Sequence, residues 1–259
     1  MEAARVIARI NSNNNFSGNY WHLELESAAI ARRAMAGQFI NIKVNDNSIP
    51  LLRRPLSIHS VSSSKIRLIY EAIGQGTQGL AKRKPGEFLD VIGPLGNGFN
   101  LSKTSSKNSL NILVAGGMGV APLVFLAERL KLSQPLVLIG AKSKNCLLCI
   151  KEFKSLGSRV ELATDDGSLG FKGKVTDLLK KTLSTIDHRL STIYACGPKA
   201  MLKAISLIAA ENKIRAQLSL EEHMACGIGA CLGCTVQTKL GFKRVCHDGP
   251  IFLSEELIW

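Results

Sequence analysis

No long run of basic residues and no alternation of basic with aromatic residues occurs in the sequence, although the chain has an excess of positive charge. Its 259 residues include 33 lysines and arginines against 20 aspartates and glutamates, which gives a net charge of +13. The basic residues stand in short scattered groups, such as Arg32 with Arg33 and Lys180 with Lys181. Nucleic-acid binding concentrates basic side chains on one face or along one helix. The scatter therefore favours a solvated basic surface, or a face for an acidic partner protein, over a nucleic-acid site.

The sequence also lacks an uninterrupted run that would favour a membrane helix, and no cleavable apolar segment precedes the first strand-like run. Residues 110–127 carry no charge, but Gly116, Gly117, Gly119 and Pro122 stand in their middle. These residues favour a buried strand, a glycine turn and a helix start over a membrane span. We therefore expect a cytoplasmic protein without membrane contact, in which cysteines that bind no metal remain reduced thiols.

Four of the seven cysteines have a distinctive spacing. Cys226, Cys231 and Cys234 follow the pattern Cys-x4-Cys-x2-Cys with glycines between them, and Cys246 follows after a predicted hairpin at residues 235–245. This is the thiolate spacing of a plant-type [2Fe–2S] cluster, and the glycines let backbone amides approach one small anionic group. Structural zinc sites more often carry two separate Cys-x2–4-Cys pairs. The pattern favours an iron–sulfur cluster held by these four cysteines over zinc or unligated core cysteines.

Residues 1–101 contain short apolar runs separated by Asn, Ser, Gly and Pro, which predicts a small antiparallel β-barrel. In this region Arg54 offers a planar fork for a pyrophosphate, and Ser57 a short hydroxyl. Gly76 and Thr77 follow with exposed amides and a second hydroxyl. Each signal is weak alone, because an Arg-Pro pair in a loop is more often a turn. His59, beside this motif, is interpreted as a solvated or core histidine rather than a catalytic one. The runs predict strands at residues 5–10, 20–25, 38–44, 66–70 and 88–92.

Residues 102–109 are polar and rich in Ser and Lys, which predicts a linker. From Leu110 onward strands alternate with helices, which predicts a parallel α/β domain. Gly116, Gly117 and Gly119 lie between a buried strand and a helix that begins at Val120, with Pro122 in its first turn. Amides and the helix dipole at such a turn suit the phosphates of a dinucleotide, although Gly-Gly-x-Gly is not the full Gly-x-Gly-x-x-Gly fingerprint.

Two further groups of residues follow predicted strands of this domain. Asp165 follows the third strand, and Cys196, Gly197 and Pro198 follow the next one. Because ligands collect at the carboxyl ends of parallel strands, we expect these residues to line the nucleotide pocket, with Cys196 beside the nicotinamide. A buried structural thiol is the alternative for Cys196.

Cys146 and Cys149 form a Cys-x-x-Cys pair that suggests redox or metal chemistry. The pair lies in an apolar pattern that predicts a helix over residues 145–156, and no partner pair stands nearby. It is interpreted as helix core.

With these motifs the sequence resembles, over essentially its whole length, the electron-transfer subunits of class 1B, NAD-dependent dihydroorotate dehydrogenase, within the ferredoxin reductase superfamily. The most specific stretch is residues 219–231, continuing to Cys246. The resemblance implies a flavin-binding antiparallel barrel at 1–101, a parallel NAD-binding α/β domain at 108–213 and a small [2Fe–2S] domain at 214–259. Leu56 departs from the aromatic residue found there in many wider-superfamily reductases. The residues implied to bind FAD are Arg54, Pro55, Leu56, Ser57, Ile69, Tyr70, Glu71, Gly76 and Thr77, and those implied to bind NAD are Gly116, Gly117, Gly119, Val120, Pro122, Asp165, Cys196, Gly197 and Pro198.

The resemblance also implies a partner, namely a catalytic subunit that oxidises dihydroorotate at an FMN, in a heterotetramer of two of each subunit. Electrons would pass from that FMN through the cluster and FAD to NAD⁺. A rival is another flavin and iron–sulfur subunit, such as the small subunit of a bifurcating ferredoxin:NADP reductase or a hydrogenase diaphorase. A rival of another class is a zinc-stabilised module that binds nucleic acid. No arginine pair for a 2′-phosphate follows the second strand, although Lys142 and Ser143 leave NADP open.

Overall fold

The computed structural model describes residues 3–45, 49–101, 110–187 and 191–259. The linker predicted at 102–109 lies outside these residues. Among the described residues, no helix is long and apolar enough to cross a membrane.

The first region of the chain is a closed antiparallel barrel with the strand order β1-β2-β5-β4-β3-β6, as predicted. Its strands alternate, since Ile66, Leu68 and Tyr70 are buried in the barrel core while Lys65 and Arg67 face solvent. This period of two places the apolar side chains on one face of the sheet. The elements are β1 (Ala4–Ser17), β2 (Tyr20–Glu26), α1 (Ala28–Ala31), β3 (Phe39–Lys43), β4 (Arg54–Ser62), β5 (Lys65–Glu71), α2 (Gln75–Ala81) and β6 (Phe88–Leu95).

Strand β4 was not among the strands expected from the sequence, because Pro55 near its start and the serines along it weaken the apolar pattern. Pro55 nevertheless pairs with Asn41 of β3, and the strand completes the barrel. The motif that contains Arg54 and Ser57 therefore lies on a paired strand rather than in a turn.

The second region is a seven-stranded sheet with the order β10-β9-β8-β7-β11-β12-β15, parallel except for the last strand. Strand β7 is buried along its whole length, as expected of a strand covered on both faces. The strands are β7 (Asn111–Gly116), β8 (Leu136–Ala141), β9 (Arg159–Thr164), β10 (Phe171–Lys172), β11 (Thr192–Cys196), β12 (Arg215–Ser219) and β15 (Ile251–Leu253); the helices are α3 (Val120–Arg129), α4 (Ile150–Ser155), α5 (Val175–Leu183) and α6 (Lys199–Glu211).

The helix predicted over residues 145–156 is wrong in its first half. Residues Lys144–Cys146 form a single 3₁₀ turn, Cys149 has a left-handed backbone with φ of 60°, and α4 begins only at Ile150. A left-handed residue interrupts a right-handed helix. Cys146 and Cys149 therefore precede α4, and both are half-buried instead of lying in a helix core.

The last part of the chain contains the predicted hairpin, formed by β13 (Thr235–Thr238) and β14 (Gly241–Arg244). The Thr238 hydroxyl donates to the Gly241 carbonyl at 2.7 Å and closes its turn. The Val245 amide donates to the Cys234 carbonyl at 3.0 Å, so the hairpin brings Cys246 back beside Cys234.

Candidate cofactor sites

The four cysteines of the predicted cluster meet at the cysteine loop, defined as residues 226–234. Backbone amides point at their sulfur atoms, and the shortest contact runs from the Gly229 amide to Cys246 Sγ at 3.1 Å. Amides directed at sulfur stabilise thiolates and the cluster that they hold. The other amide contacts are Ile228 and Cys231 to Cys226 Sγ at 3.5 and 3.4 Å, Gly233 to Cys231 Sγ at 3.5 Å, and Cys246 to Cys234 Sγ at 3.4 Å.

The acidities of these thiols depend on one another. Burial opposes ionisation of Cys226, but amide hydrogen bonds, first from Ile228, lower its pKa to about 6. Burial and the neighbouring Cys234 raise the pKa of Cys246 to about 12. Because Cys234 and Cys226 both act on the charge of Cys246, these thiols lie near one another. The donor set fits a [2Fe–2S] cluster.

Two contacts that the sequence analysis missed hold the cysteine loop in place. Arg244 donates to the Gly229 carbonyl at 2.9 Å and pairs with Asp248 at 3.0 Å, which keeps the pKa of Asp248 well below its ordinary range. Asn41 of β3 donates to the Cys226 carbonyl at 3.2 Å. Since Asn41 is the register partner of Pro55, the loop is anchored one strand away from the flavin motif on β4.

Arg54, Gly76 and Thr77, predicted to bind FAD, lie together on the barrel. A Cβ on Gly76 would lie 2.1 Å from Arg54 Nε, so any larger residue there would displace the guanidinium from the start of α2. The Thr77 hydroxyl accepts from the Ile73 amide at 3.1 Å and thereby shapes the turn before α2. This arrangement of a fork donor and a helix start fits a pyrophosphate.

The other residues predicted to bind FAD lie on β4 and β5. Tyr70 differs from the rest, because its side chain lies in the barrel core and its hydroxyl donates to Asn13 at 2.9 Å. Burial raises the pKa of this hydroxyl. The side chain of Tyr70 is therefore not available to a ligand. Of the remaining residues, the half-buried ones are Pro55, Leu56, Ser57 and Glu71, and the buried one is Ile69.

The residues predicted to bind NAD gather at the carboxyl ends of the parallel strands. Strands β7 and β11 are neighbours, and Ala115 is the register partner of Cys196. A Cβ on Gly119 would lie 2.0 Å from the Cys196 carbonyl oxygen, so glycine is required where the turn meets the end of β11. Val120 and Pro122 are buried in the first turn of α3, whereas Asp165 and Pro198 are exposed. The glycine turn at the start of α3 fits a dinucleotide phosphate.

Cys196 has a partner that the sequence analysis did not assign to a site. Its thiol lies 3.9 Å from a carboxylate oxygen of Glu221, which precedes the cysteine loop. Burial raises the pKa of Cys196. Although Glu221 as a whole residue is exposed, the surrounding protein desolvates its carboxyl group and raises its pKa as well. The pair brings a proton donor and an acceptor to the edge of the predicted nicotinamide pocket. The sequence could have pointed to Glu221, because this residue lies in the specific stretch 219–231.

Comparisons with known proteins agree with this geometry. A family model for the iron-sulfur cluster binding domain of dihydroorotate dehydrogenase B matches residues 221–258, and one for an oxidoreductase NAD-binding domain matches residues 113–206. Among solved structures, that of an NADH-dependent reduced ferredoxin-NADP oxidoreductase is 29% identical, with a TM-score of 0.86 over 98% of this chain and 90% of the other. A ferredoxin NADP⁺ reductase from Neisseria gonorrhoeae, 16% identical with a TM-score of 0.68 over 81% of this chain and 92% of the other, shares the fold alone. These findings confirm the predicted order of barrel, nucleotide-binding domain and small iron–sulfur domain.

Curated relatives extend the match to the whole chain. The protein named dihydroorotate dehydrogenase B (NAD(+)), electron transfer subunit, from Desulforamulus reducens is 41% identical over 93% of this chain and 93% of its own length. The protein of the same name from Caldanaerobacter subterraneus subsp. tengcongensis is 35% identical over 98% of this chain and 99% of its own length. The chain therefore belongs to the family of electron transfer subunits of dihydroorotate dehydrogenase B.

Proposed function

We propose that this chain is the electron-transfer subunit of an NAD-dependent dihydroorotate dehydrogenase and works in pyrimidine biosynthesis. The observation that carries the proposal is the cysteine loop. Backbone amides donate to its thiols, and a hydrogen bond from Asn41 joins it to the barrel. When bound, a [2Fe–2S] cluster carries single electrons, FAD exchanges one or two, and NAD⁺ takes up a hydride.

The proposal assigns each group to residues of this chain. In terms of domains, FAD belongs to 1–101, NAD to 108–213 and the cluster to 214–259. The cluster ligands are Cys226, Cys231, Cys234 and Cys246; the FAD residues are Arg54, Pro55, Leu56, Ser57, Ile69, Tyr70 through its main chain, Glu71, Gly76 and Thr77; the NAD residues are Gly116, Gly117, Gly119, Val120, Pro122, Asp165, Cys196, Gly197 and Pro198.

The polypeptide positions the bound groups and excludes water from them. Buried Cys234 and Cys246 keep water from one side of the cluster site, while exposed Cys231 leaves the other side open. Arg54 supplies fixed positive charge for a pyrophosphate. The thiol of Cys196 stays protonated at neutral pH and can donate a hydrogen bond at the nicotinamide.

The proposed partner is an FMN-containing catalytic subunit, in a heterotetramer of two of each in the cytoplasm. Exposed apolar side chains beside Cys231 support docking at this point, since Ile228 and Leu232 are 50% and 61% exposed. Apolar side chains left in water next to a redox site favour contact with another protein.

Coexpression with a candidate FMN subunit, followed by anaerobic assay, tests the proposal. We expect the two chains to copurify, and NAD⁺ reduction to depend on dihydroorotate. Reduction of NADP⁺ by reduced ferredoxin, without any response to dihydroorotate, would instead favour the rival reductase, to which the 29% identical structure belongs. A protein without visible absorbance after anaerobic purification would contradict both and favour a zinc-stabilised module, since zinc is colourless.

A further inference from the structure

Three side chains with metal-binding atoms meet between the barrel and the nucleotide-binding domain, and none of them belongs to the residues assigned to FAD, NAD or the iron–sulfur cluster. They are His59 of β4, Cys149 just before α4, and Glu152 in α4. Their ligand atoms all lie within 4.8 Å of one another. Two of them come from one segment, while His59 comes from the other domain, so the cluster exists only because the two domains pack together.

His59 is oriented as metal-binding histidines are. Its side chain is buried, with 3% of the residue exposed, and Nδ1 lies 3.1 Å from the Ala121 carbonyl oxygen. Because a carbonyl oxygen can only accept, Nδ1 carries the proton, which leaves the lone pair of Nε2 free in the neutral ring. That Nε2 faces Glu152 at 3.6 Å, beyond hydrogen-bond distance. A backbone carbonyl that fixes one ring nitrogen is the usual support of a histidine that binds metal through the other.

Glu152 has a carboxylate oxygen at the same place that can still accept a bond. Its Oε2 atom is buried and has no hydrogen-bond partner among the described residues. The other carboxylate oxygen lies 4.0 Å from Nε2 of His22 on β2. A cleft of about 580 Å³ is lined by His22, His59 and Glu152, so that an ion and water can approach these three side chains from solvent.

We propose that His59 Nε2, Cys149 Sγ and the Glu152 carboxylate bind a divalent zinc ion, with His22 or a water molecule in the fourth position. Imidazole, carboxylate and thiolate together suit zinc, and the Cys149 thiol becomes a thiolate when the metal displaces its proton to solvent. Zinc bonds of 2.0–2.3 Å in a tetrahedron place ligand atoms roughly 3.3–3.8 Å apart. The His59–Glu152 separation of 3.6 Å meets this spacing, and the Cys149 thiol lies within 4.8 Å of both ligand atoms. The bound ion joins the barrel to the nucleotide-binding domain.

The test uses the holoprotein, prepared anaerobically with flavin and cluster in place, and titrated with zinc against a chelating dye. Metal analysis is expected to find about one zinc per chain besides the cluster iron. Cys149→Ser and His59→Gln should each weaken zinc binding at least about 100-fold, since loss of even a residue that only hydrogen-bonds to a metal ligand costs about 10- to 100-fold. Cys146→Ser is the matched control and should bind zinc as the wild type does.

Two results distinguish zinc at this site from zinc bound at the cluster cysteines and from a metal-free ion pair. If zinc binds at the four cysteines of the iron–sulfur site instead, the wild type and all the variants will take up the same amount of zinc. Equal zinc uptake would therefore overturn the proposal. Retained flavin and cluster absorbance shows that each variant is folded. Anomalous diffraction at the zinc edge should give a peak among His59, Cys149 and Glu152. An empty position there, with zinc present in the crystal solution, would mean that His59 and Glu152 form only an ion pair between the domains.

Discussion

The cysteine loop and the cluster of His59, Cys149 and Glu152 both gather metal-binding side chains, but they do so by opposite means. Three of the four thiols assigned to the iron–sulfur cluster stand within the nine residues of this loop, and a short hairpin returns the fourth, Cys246, to it. In the second cluster, His59 and Cys149 come from different domains and meet through tertiary packing. A ligand set encoded by local spacing can be recognised from sequence, whereas one assembled by packing of domains cannot.

The sharpest test of this comparison removes one thiol from each site. Cys234→Ser, at a buried position, should abolish cluster absorbance and dihydroorotate-dependent NAD⁺ reduction, because one missing thiolate leaves the iron incompletely coordinated. Cys149→Ser should leave both unchanged. Iron and sulfide analysis with the coupled assay measures the difference, and iron retained by Cys234→Ser would contradict the ligand assignment.

The glycine turn provides a second contrast, between two neighbouring positions. Gly119→Ala places a methyl group 2.0 Å from a backbone oxygen and should destabilise the protein by about 3 kcal/mol. Gly117→Ala, with open space around it but φ of +55°, should cost only about 1 kcal/mol. Urea unfolding measures both values. Equal losses would show that backbone strain, rather than the close approach to β11, sets the requirement for glycine.

Loss of the hydrogen bond that anchors the cysteine loop to the barrel should lower the stability of the protein by a smaller amount. Asn41→Ala removes the hydrogen bond to the Cys226 carbonyl and should cost about 1–2 kcal/mol. Because the loop would then sit less firmly on the barrel, we expect slower reduction of the cluster by NADH, measured by stopped-flow absorbance. Asn15→Ala, which removes only exposed hydrogen bonds to the Gly18 and Tyr20 carbonyls, is the control. An unchanged rate in Asn41→Ala would show that the loop keeps its position without this bond.

The smallest effect is expected at an ion pair within the barrel. Burial opposes ionisation of Asp90, but Arg5 and Arg53 outweigh it and lower its pKa from 3.8 to about 2. Since the folded-state pKa lies below the unfolded one, the stabilisation is complete above about pH 4 and is lost as pH falls through 2. Asp90→Asn should therefore cost about 1 kcal/mol at pH 6, allowing for solvent screening. In denaturant unfolding, this difference should shrink toward zero in acid; a constant difference would contradict the assignment to ionised Asp90.

The sequence predicts most of the architecture and the residues whose roles depend on local spacing. The cysteine loop and the hairpin were found because their partners are close in sequence. Strand β4 was missed because Pro55 and its serines obscure the alternation that its register with β3 restores. Asn41 and Glu221 were missed for another reason, since each acts on a residue of a distant segment. Periodicity carries no information about such contacts.

Strand β15 has a consequence for how the chain can be shortened. It pairs antiparallel with β12, through Ser219 with Ile251 and Gln217 with Leu253, and covers the outer side of that strand. A chain ended just before Ile251 would keep all four cysteines of the iron–sulfur site. It would, however, leave β12 as an edge strand whose backbone amides and carbonyls on that side are unpaired. Such a fragment would recruit strands from other copies, so its failure in solution would reflect self-association rather than a missing cofactor.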